Sequence, residues 1–110
     1  MTMTRGLSGV TSVRYSTSAD AEIVAASSGK KIRVLALIAQ AADGTVQFES
    51  AATVIFGPFR LDADGAAGSM SPLVLPFLES GWFETTAGEA LNIDLSGTDL
   101  NTGTVIYAYV

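Results

Sequence analysis

The sequence predicts an all-β protein, an antiparallel β-sandwich that is jelly-roll-like, with about eight short strands and an N-terminal arm. Segments rich in Val, Ile, Leu, Phe and Thr recur along the 110 residues, and glycine-containing turn signals separate them. These signals include Ser28-Gly29, Asp43-Gly44, Ala87-Gly88 and Thr102-Gly103. Such regular punctuation is typical of a sandwich or barrel rather than of βαβ units.

The first 18 residues are predicted to be an arm followed by an edge strand. Residues 1–9 have little hydrophobic periodicity, and residues 10–18, VTSVRYSTS, favour an edge strand. Residues 19–110 are then a single sandwich domain, since a chain of this length can bury one core. Three prolines are expected at sheet edges or strand ends, because proline removes a ladder donor. They are Pro58, Pro72 and Pro76.

The stretch KKIRVLALIAQAADG, residues 30–44, fits either a helix or a strand. Its Leu and Ala content favours a helix on propensity alone. The flanking glycine turns and the β-rich neighbours favour a central strand, so a strand is predicted. In that strand one face carries Ile32, Val34, Ala36 and Ile38, and the other carries Arg33, Leu35 and Leu37.

Three later segments show the period of two that characterises β-strands. In residues 45–50, Val46 and Phe48 share one face, and in residues 89–96 the inward set is Leu91, Ile93 and Leu95. The last segment, TVIYAYV, is apolar on both faces, so it is predicted to be covered on both sides.

Four aromatic residues are candidates for the core or for a seam between subunits. They are Trp82, Phe83, Tyr107 and Tyr109. Aromatic side chains bury much surface and suit both places, and Trp82→Ala is predicted to cost about 3–5 kcal/mol if the ring is buried. An aromatic platform for a sugar ring is the alternative interpretation.

Composition favours a protein that buries part of its surface against another subunit. Hydrophobic residues make up 48% of the chain and charged residues only 15%, whereas about a quarter of a typical soluble chain is charged.

Residues 1–60 hold all six bases and four acids, and residues 61–110 hold seven acids and no base, for a net charge of −5. An acidic chain with scattered bases is a poor nucleic-acid binder. No run approaches the roughly 20 apolar residues of a membrane helix, so neither nucleic acid nor membrane is an expected partner.

Catalysis is not expected, and no cofactor or metal site is assigned. The chain has no histidine and no cysteine, which removes the commonest general base, the commonest metal ligand and the thiolate nucleophile. The stretch SSGKK lacks the earlier glycine and the Ser or Thr of a phosphate loop. The fragment DADG lacks the distal carboxylate of a calcium loop, so a plain turn is the better interpretation.

Three ordered blocks then resemble a group of small all-β proteins encoded by tailed bacteriophages. The blocks are GKKIRVLALIAQAADGTVQFES, LPFLESGWFETTAGEALNIDLSG and GTVIYAYV, over roughly residues 29–110. The resemblance implies a virion structural protein, above all a capsid decoration (cement) protein. It also implies a homotrimer, made in the host cytoplasm, that binds the major capsid protein on the outer surface of the head.

Residues 1–28 lie outside this resemblance, and residues 1–18 suit an arm that orders on binding. Arg5, Arg14 and Tyr15 are accordingly the candidates for docking to the capsid. Two other functions stay open. One is another virion part, such as a tail or fibre-associated domain, and the other is a carbohydrate-binding sandwich module.

Overall fold

A computed structural model of the chain describes residues 9–41, 43–62, 71–96 and 100–110. Within these residues there are nine strands and no helix, and hence no helix that could cross a membrane. The strands are β1 (Val10–Thr17), β2 (Ala21–Val24), β3 (Ile32–Ala41), β4 (Asp43–Ser50), β5 (Thr53–Asp62), β6 (Ser71–Leu75), β7 (Phe83–Glu84), β8 (Leu91–Leu95) and β9 (Asn101–Tyr109). The all-β prediction is therefore confirmed. The predicted arm lies almost wholly outside the described residues.

The strands form two antiparallel sheets. The five-stranded sheet has the order β1-β9-β3-β6, with the short β7 also paired to β3, and the four-stranded sheet has the order β2-β8-β4-β5. β1 lies at an edge, where the sequence placed it, and β3 is central. Pro58 lies in edge strand β5, Pro72 lies in edge strand β6, and Pro76 directly follows β6. Their positions agree with the edge and strand-end prediction.

One hydrophobic core is shared by the two sheets. Leu37 and Val105 come from the five-stranded sheet, Phe48 and Ile93 come from the four-stranded sheet, and all four side chains are almost completely buried. The inward faces predicted for β4 and β8 are confirmed by this burial. Burying each such side chain contributes about 1.5–3 kcal/mol of transfer free energy. The core therefore fixes which face of each strand points inward.

β3 departs from its predicted pattern because it contains a β-bulge. The register between β3 and β9 shifts between Val34 and Ala36, so Leu35 is an extra residue without a direct partner. A one-residue shift moves all later side chains to the opposite face. Val34 before the bulge and Leu37 after it both lie in the core, whereas Ile38 is exposed. The prediction that Ile32, Val34, Ala36 and Ile38 share one face is therefore wrong.

The predicted Thr102-Gly103 turn is wrong, because both residues lie inside strand β9, whereas Asp43-Gly44 are the first two residues of β4, close to the predicted boundary of β3. Gly103 has a different reason to be glycine. A Cβ atom there would lie 2.4 Å from the carbonyl oxygen of Ile38 and 2.7 Å from the Tyr15 ring. The residue therefore permits a close approach of neighbouring strands. The predicted Ala87-Gly88 turn is confirmed, with Gly88 at a φ of 83°.

Three successive segments cover the side of β3 that faces away from β9. β6 pairs with residues 37–41 of β3, and β7 pairs with Arg33 and Val34. Between them, beside the bulge, the Leu78 amide donates to the carbonyl oxygen of Leu35 at 2.9 Å. Buried Thr85 extends this contact, since its hydroxyl oxygen accepts from the Ile32 amide at 2.9 Å. The loop formed by residues 76–82 is thereby held against the five-stranded sheet.

Candidate interaction surface

The outer side of the five-stranded sheet carries a continuous apolar surface. Ile38 of β3 is the register partner of Val74 of β6, and Ala36 of β3 is the register partner of Ile106 of β9. Phe77 of the loop lines the same shallow depression, of about 220 Å³, as these four residues. We call this surface the apolar face and define it by Ala36, Ile38, Val74, Phe77 and Ile106. Ile38, Val74 and Phe77 are 51%, 57% and 48% exposed.

A more polar area adjoins the apolar face on the same sheet. A second depression, of about 500 Å³, shares Ile38 and Thr104 with the first. Its other walls include Arg14, Gln40 and Thr102. Side-chain hydroxyl and amide groups can both donate and accept hydrogen bonds. The outer side of this sheet therefore offers an apolar centre with hydrogen-bonding groups beside it, the combination that protein interfaces use.

The loop of residues 76–82 extends the apolar face beyond the sheet. Phe77, Leu78 and Trp82 are all exposed, and the indole Nε1 of Trp82 donates to the carbonyl oxygen of Pro76 at 2.8 Å. Within the described residues, nine large hydrophobic side chains are exposed. Five of them lie on β3, β6 and this loop, namely Ile38, Val74, Phe77, Leu78 and Trp82. Exposed apolar groups that cluster in this way mark an interaction site more often than scattered ones do.

The four aromatic candidates occupy different environments. Phe83 packs against the core, stacked on Phe56 with ring centroids 4.3 Å apart. Tyr107 also packs against the core, and its ring meets Tyr109 edge-on at 5.7 Å. Trp82 is 38% exposed and is not part of the core cluster. Trp82 therefore does not lie in the core between the sheets, and its place at a seam between subunits stays a prediction.

The three docking candidates are likewise separated. Arg5 lies outside the described residues, while Arg14 is exposed on the outer side of β1. Tyr15, the next residue, packs against the core. Its hydroxyl group is buried without a hydrogen-bond partner in the described part of the chain, and burial raises the pKa of Tyr15 to about 12. Alternation along β1 thus puts Arg14 on the outer surface and Tyr15 inside.

The outer side of the four-stranded sheet is polar and acidic. The side-chain amide of Gln47 donates to Glu49 at 3.1 Å and to Asp94 at 3.0 Å. Burial, a hydrogen bond with Asp94 and repulsion by Asp94 and Asp20 raise the pKa of Glu49. Glu22 is exposed on the neighbouring strand. This side of the molecule therefore repels an acidic partner, in contrast to the apolar face.

The residues that define the apolar face were not identified from the sequence. Ile38 was assigned to the same face as Val34, and only the bulge at Leu35 turns it outward. Val74 lies beside Pro72 and Pro76 in a segment that looks like an ordinary apolar run. The feature of the sequence that could have indicated this face was the apolar composition of both sides of β9. Within one chain, the side that includes Ile106 is only partly covered.

Neither the described side chains nor comparisons with known proteins point to a particular chemistry for the chain. Among the described residues, no group of three or more His, Cys, Asp or Glu side chains is arranged to hold a metal ion. Comparisons with protein-family models, curated proteins and solved structures found no match. The features that bear on function are therefore the strand arrangement, the apolar face and the acidic side opposite to it.

Proposed function

We propose that this chain is a structural virion protein that decorates and stabilises a tailed-phage capsid by binding its outer surface as an oligomer, with a homotrimer as the expected state. The observation that carries the proposal is the apolar face, centred on Ile38 and Val74, which the chain leaves exposed on the outer side of the five-stranded sheet. Such a face is suited to holding subunits together. The resemblance to phage proteins supplies the virion context.

The pairing of the strands supports a jelly-roll form of the two-sheet fold. β1 pairs with β9, β2 with β8, β3 with β6 and β4 with β5. The first half of the chain thus pairs with the second half in nested, antiparallel order, as a long hairpin does when it is rolled into two sheets. We propose that the molecule is a jelly-roll sandwich, an architecture found in viral capsid and lectin domains.

In this proposal the protein acts by adding contacts between neighbouring copies of the major capsid protein. A ligand that binds the assembled shell but not its separated parts shifts the equilibrium toward the shell by mass action. Residues 1–9 are the proposed docking arm, with Arg5 as its cation, and Arg14 is a second docking candidate on β1. Tyr15 remains a candidate as well, although its ring packs inside and can support docking only by holding β1 in place.

The decisive experiment is binding to tailed-phage capsids that lack their own decoration protein. We expect the protein to sediment with capsids from a panel of tailed phages and to raise the temperature at which the bound capsids release DNA. Failure to bind any capsid in the panel would overturn the proposal. Binding to purified tails but not to heads would favour the tail or fibre-associated alternative.

The arm is tested by deleting residues 1–8 and keeping β1. All eight residues of β1 pair with β9, and Val13 and Tyr15 pack against the core, so a longer deletion would damage the fold itself. We expect the shortened protein to keep its circular dichroism spectrum and lose capsid binding. Unchanged binding would remove the arm from the docking surface.

A carbohydrate-binding module is the second candidate, because Trp82 and Phe77 expose aromatic rings on one loop. Aromatic side chains can pack against apolar molecular faces. This function predicts a change in the fluorescence of Trp82, the single tryptophan, on adding oligosaccharides, and loss of that change in Phe77→Ala, which keeps the reporter. Under the decoration proposal, a glycan array and fluorescence titration give no saturable signal.

A further inference from the structure

We infer that the apolar face is the surface through which copies of this chain contact one another. The inference deepens the proposed function, on which it rests for the premise that the protein works as an oligomer. It assigns a place for the contact and a chemistry for its margins. The charges of the chain favour a second copy of the chain as the partner on this face.

Overall charge restricts where two copies can meet. Each copy carries a net charge of −5, so contact between surfaces rich in acids is electrostatically unfavourable. The outer side of the four-stranded sheet carries Glu22, Glu49 and Asp94. The apolar face has uncharged residues at its centre. A second acidic copy can approach it without placing carboxylates against carboxylates.

The cations near the apolar face also differ in their partners. Arg33 of β3 is paired with Glu84 of β7, with Nε 2.6 Å from a carboxylate oxygen. Arg14 on β1 forms no ion pair within the described residues. An acidic copy of the same chain would bring the anion that Arg14 lacks. The position of Arg14 beside an apolar surface is typical of an interface margin.

The opposite margin of the same face supplies that anion. Glu79 is exposed in the 76–82 loop and, within the part of the chain described, has no ion pair either. β1 and β6 are the two ends of the strand order β1-β9-β3-β6, and the loop follows β6. Arg14 and Glu79 therefore lie at opposite margins of one surface. Contact between copies can bring the β1 margin of one to the loop margin of the next.

The polar part of this sheet fits the same occupant. Ser16, Thr102 and Thr104 carry hydroxyl groups, and Gln40 carries an amide, beside the apolar centre. Groups that both donate and accept hydrogen bonds are complementary to a second set of themselves. A surface made of uncharged, self-complementary groups and of opposite charges at its two margins fits another copy of this chain.

The first test measures the mass of the protein in solution. Ile38→Lys combined with Val74→Lys places two charges in the centre of the apolar face. Lysine makes the net charge less negative, so dissociation cannot come from stronger overall repulsion. Val54→Lys is the matched control. Val54 is a strand residue of similar exposure, 44%, but it lies on the four-stranded sheet.

We expect light scattering behind size exclusion to give an oligomer for the wild type and for Val54→Lys. The double lysine variant should be a folded monomer, with a dissociation constant raised by more than about tenfold, as for an interface hot spot. A wild type that is monomeric at tens of micromolar overturns the inference. So does a double variant that keeps both the wild-type mass and the wild-type affinity.

The second test reverses the charges at the two margins. Arg14→Glu alone and Glu79→Arg alone should each weaken association, because each places like charges together between copies. The combination of Arg14→Glu with Glu79→Arg should restore the wild-type dissociation constant to within about threefold, since additive effects would instead weaken it further. A combined variant that is weaker than either single variant contradicts the pairing of these margins.

The two proposals fail separately in these experiments. If the wild type binds capsids as a monomer, decoration stands and the self-contact is wrong. If the wild type is an oligomer that Ile38→Lys with Val74→Lys disrupts, and no capsid binds, the self-contact stands and decoration is wrong. Measuring capsid binding of Arg14→Glu with Glu79→Arg, which keeps the self-contact, further shows whether these two margins also contribute to docking on the capsid.

Discussion

The Tyr15 side chain combines a well-packed ring with an unfavourably buried hydroxyl group. The ring packs against the core, but the buried oxygen has no hydrogen-bond partner within the described residues. An unsatisfied buried polar group costs about 1–3 kcal/mol. Tyr15→Phe keeps the ring and removes this group, so we expect the free energy of unfolding to rise by about 1 kcal/mol. Urea denaturation at pH 7 measures the change, and a marked loss of stability would show that the hydroxyl group is bonded.

The same residue makes the fold sensitive to alkali. Burial raises the pKa of Tyr15 from 10.0 to about 12, so the neutral phenol stabilises the folded state below pH 10, and this contribution is lost as pH rises toward 12. Two pKa units correspond to roughly 2–3 kcal/mol. We expect Tyr15→Phe to lose less stability than the wild type over this range. Tyr107, whose pKa is also raised, mainly by burial, contributes a loss that both proteins share.

The contribution of Glu49 to folding stability changes with pH in the opposite direction to that of most carboxylates. Its pKa is raised, mainly by burial and then by Asp94, so its proton stabilises the folded state at low pH and this contribution is lost as pH rises through its raised pKa. Glu49→Gln removes the charge and keeps the shape. We expect it to stabilise the protein at pH 7 by less than about 1 kcal/mol, the scale of exposed charge pairs. Denaturation at pH 3.5 should show little difference, and an equal gain at both pH values would mean that charge is not the cause.

Phe83 and Trp82 are adjacent in sequence but unequal in their expected contribution to stability. Phe83 contacts two rings, at 4.3 Å from Phe56 and 5.7 Å from Phe48, whereas Trp82 is partly exposed. We expect Phe83→Ala to destabilise the fold by about 3 kcal/mol or more, and Trp82→Ala by roughly 1–2 kcal/mol. Chemical denaturation of both variants at the same protein concentration compares their free energies of unfolding. A larger loss for Trp82→Ala would place its ring in the core after all.

At the scale of secondary-structure elements, the β4–β5 hairpin contains a strained residue. Ala51 has a φ of 53°, in the left-handed region that favours glycine. Two hydrogen bonds hold it there, since its amide donates to the carbonyl oxygen of Ala90 at 3.0 Å and its own carbonyl accepts from Asn92 at 2.7 Å. We expect Ala51→Gly to stabilise the protein by about 0.5–1 kcal/mol, as measured by thermal or urea unfolding. Ala52→Gly is the control and should not stabilise.

The strands show which parts of the fold could be predicted from sequence. β4 and β8 have one apolar and one polar side, so alternation alone gave the correct inward residues, such as Phe48 and Ile93. β3 is apolar on both sides, and its bulge at Leu35 leaves no mark in the residue pattern. Its phase after Leu35 therefore depended on tertiary pairing. The same pairing explains Gly103, which looked like a turn residue but permits a close contact between strands.

The candidate surface could be predicted only in part for the same reason. Composition predicts that apolar surface remains to be covered, and the aromatic residues are its expected members. The exposed positions are instead mainly aliphatic, because the bulge turns Ile38 outward and the edge position of β6 leaves Val74 open. Side-chain size does not decide exposure, whereas strand position and phase do.

At the scale of the whole molecule, association and folding should be coupled. If the apolar face is covered in the oligomer, the unfolding midpoint rises with protein concentration, because the native state is favoured by mass action. We expect the midpoint of the wild type to increase between about 5 and 500 µM, and that of Ile38→Lys with Val74→Lys to stay constant. Differential scanning fluorimetry at several concentrations measures both. A wild-type midpoint independent of concentration would contradict the coupling.

The pairing of β1 with β9 also has a mechanical consequence. Val10 is the partner of Ala108, so the start of β1 lies beside the end of β9 at the sheet edge. A pull on the start of β1, directed away from the sheet, loads the outermost hydrogen bonds first and the remaining ones in turn. The strand would peel from the edge at low force instead of resisting with all its bonds together. An attachment made only through the first residues would therefore break at low force. A stable attachment needs contacts with the rest of the domain as well.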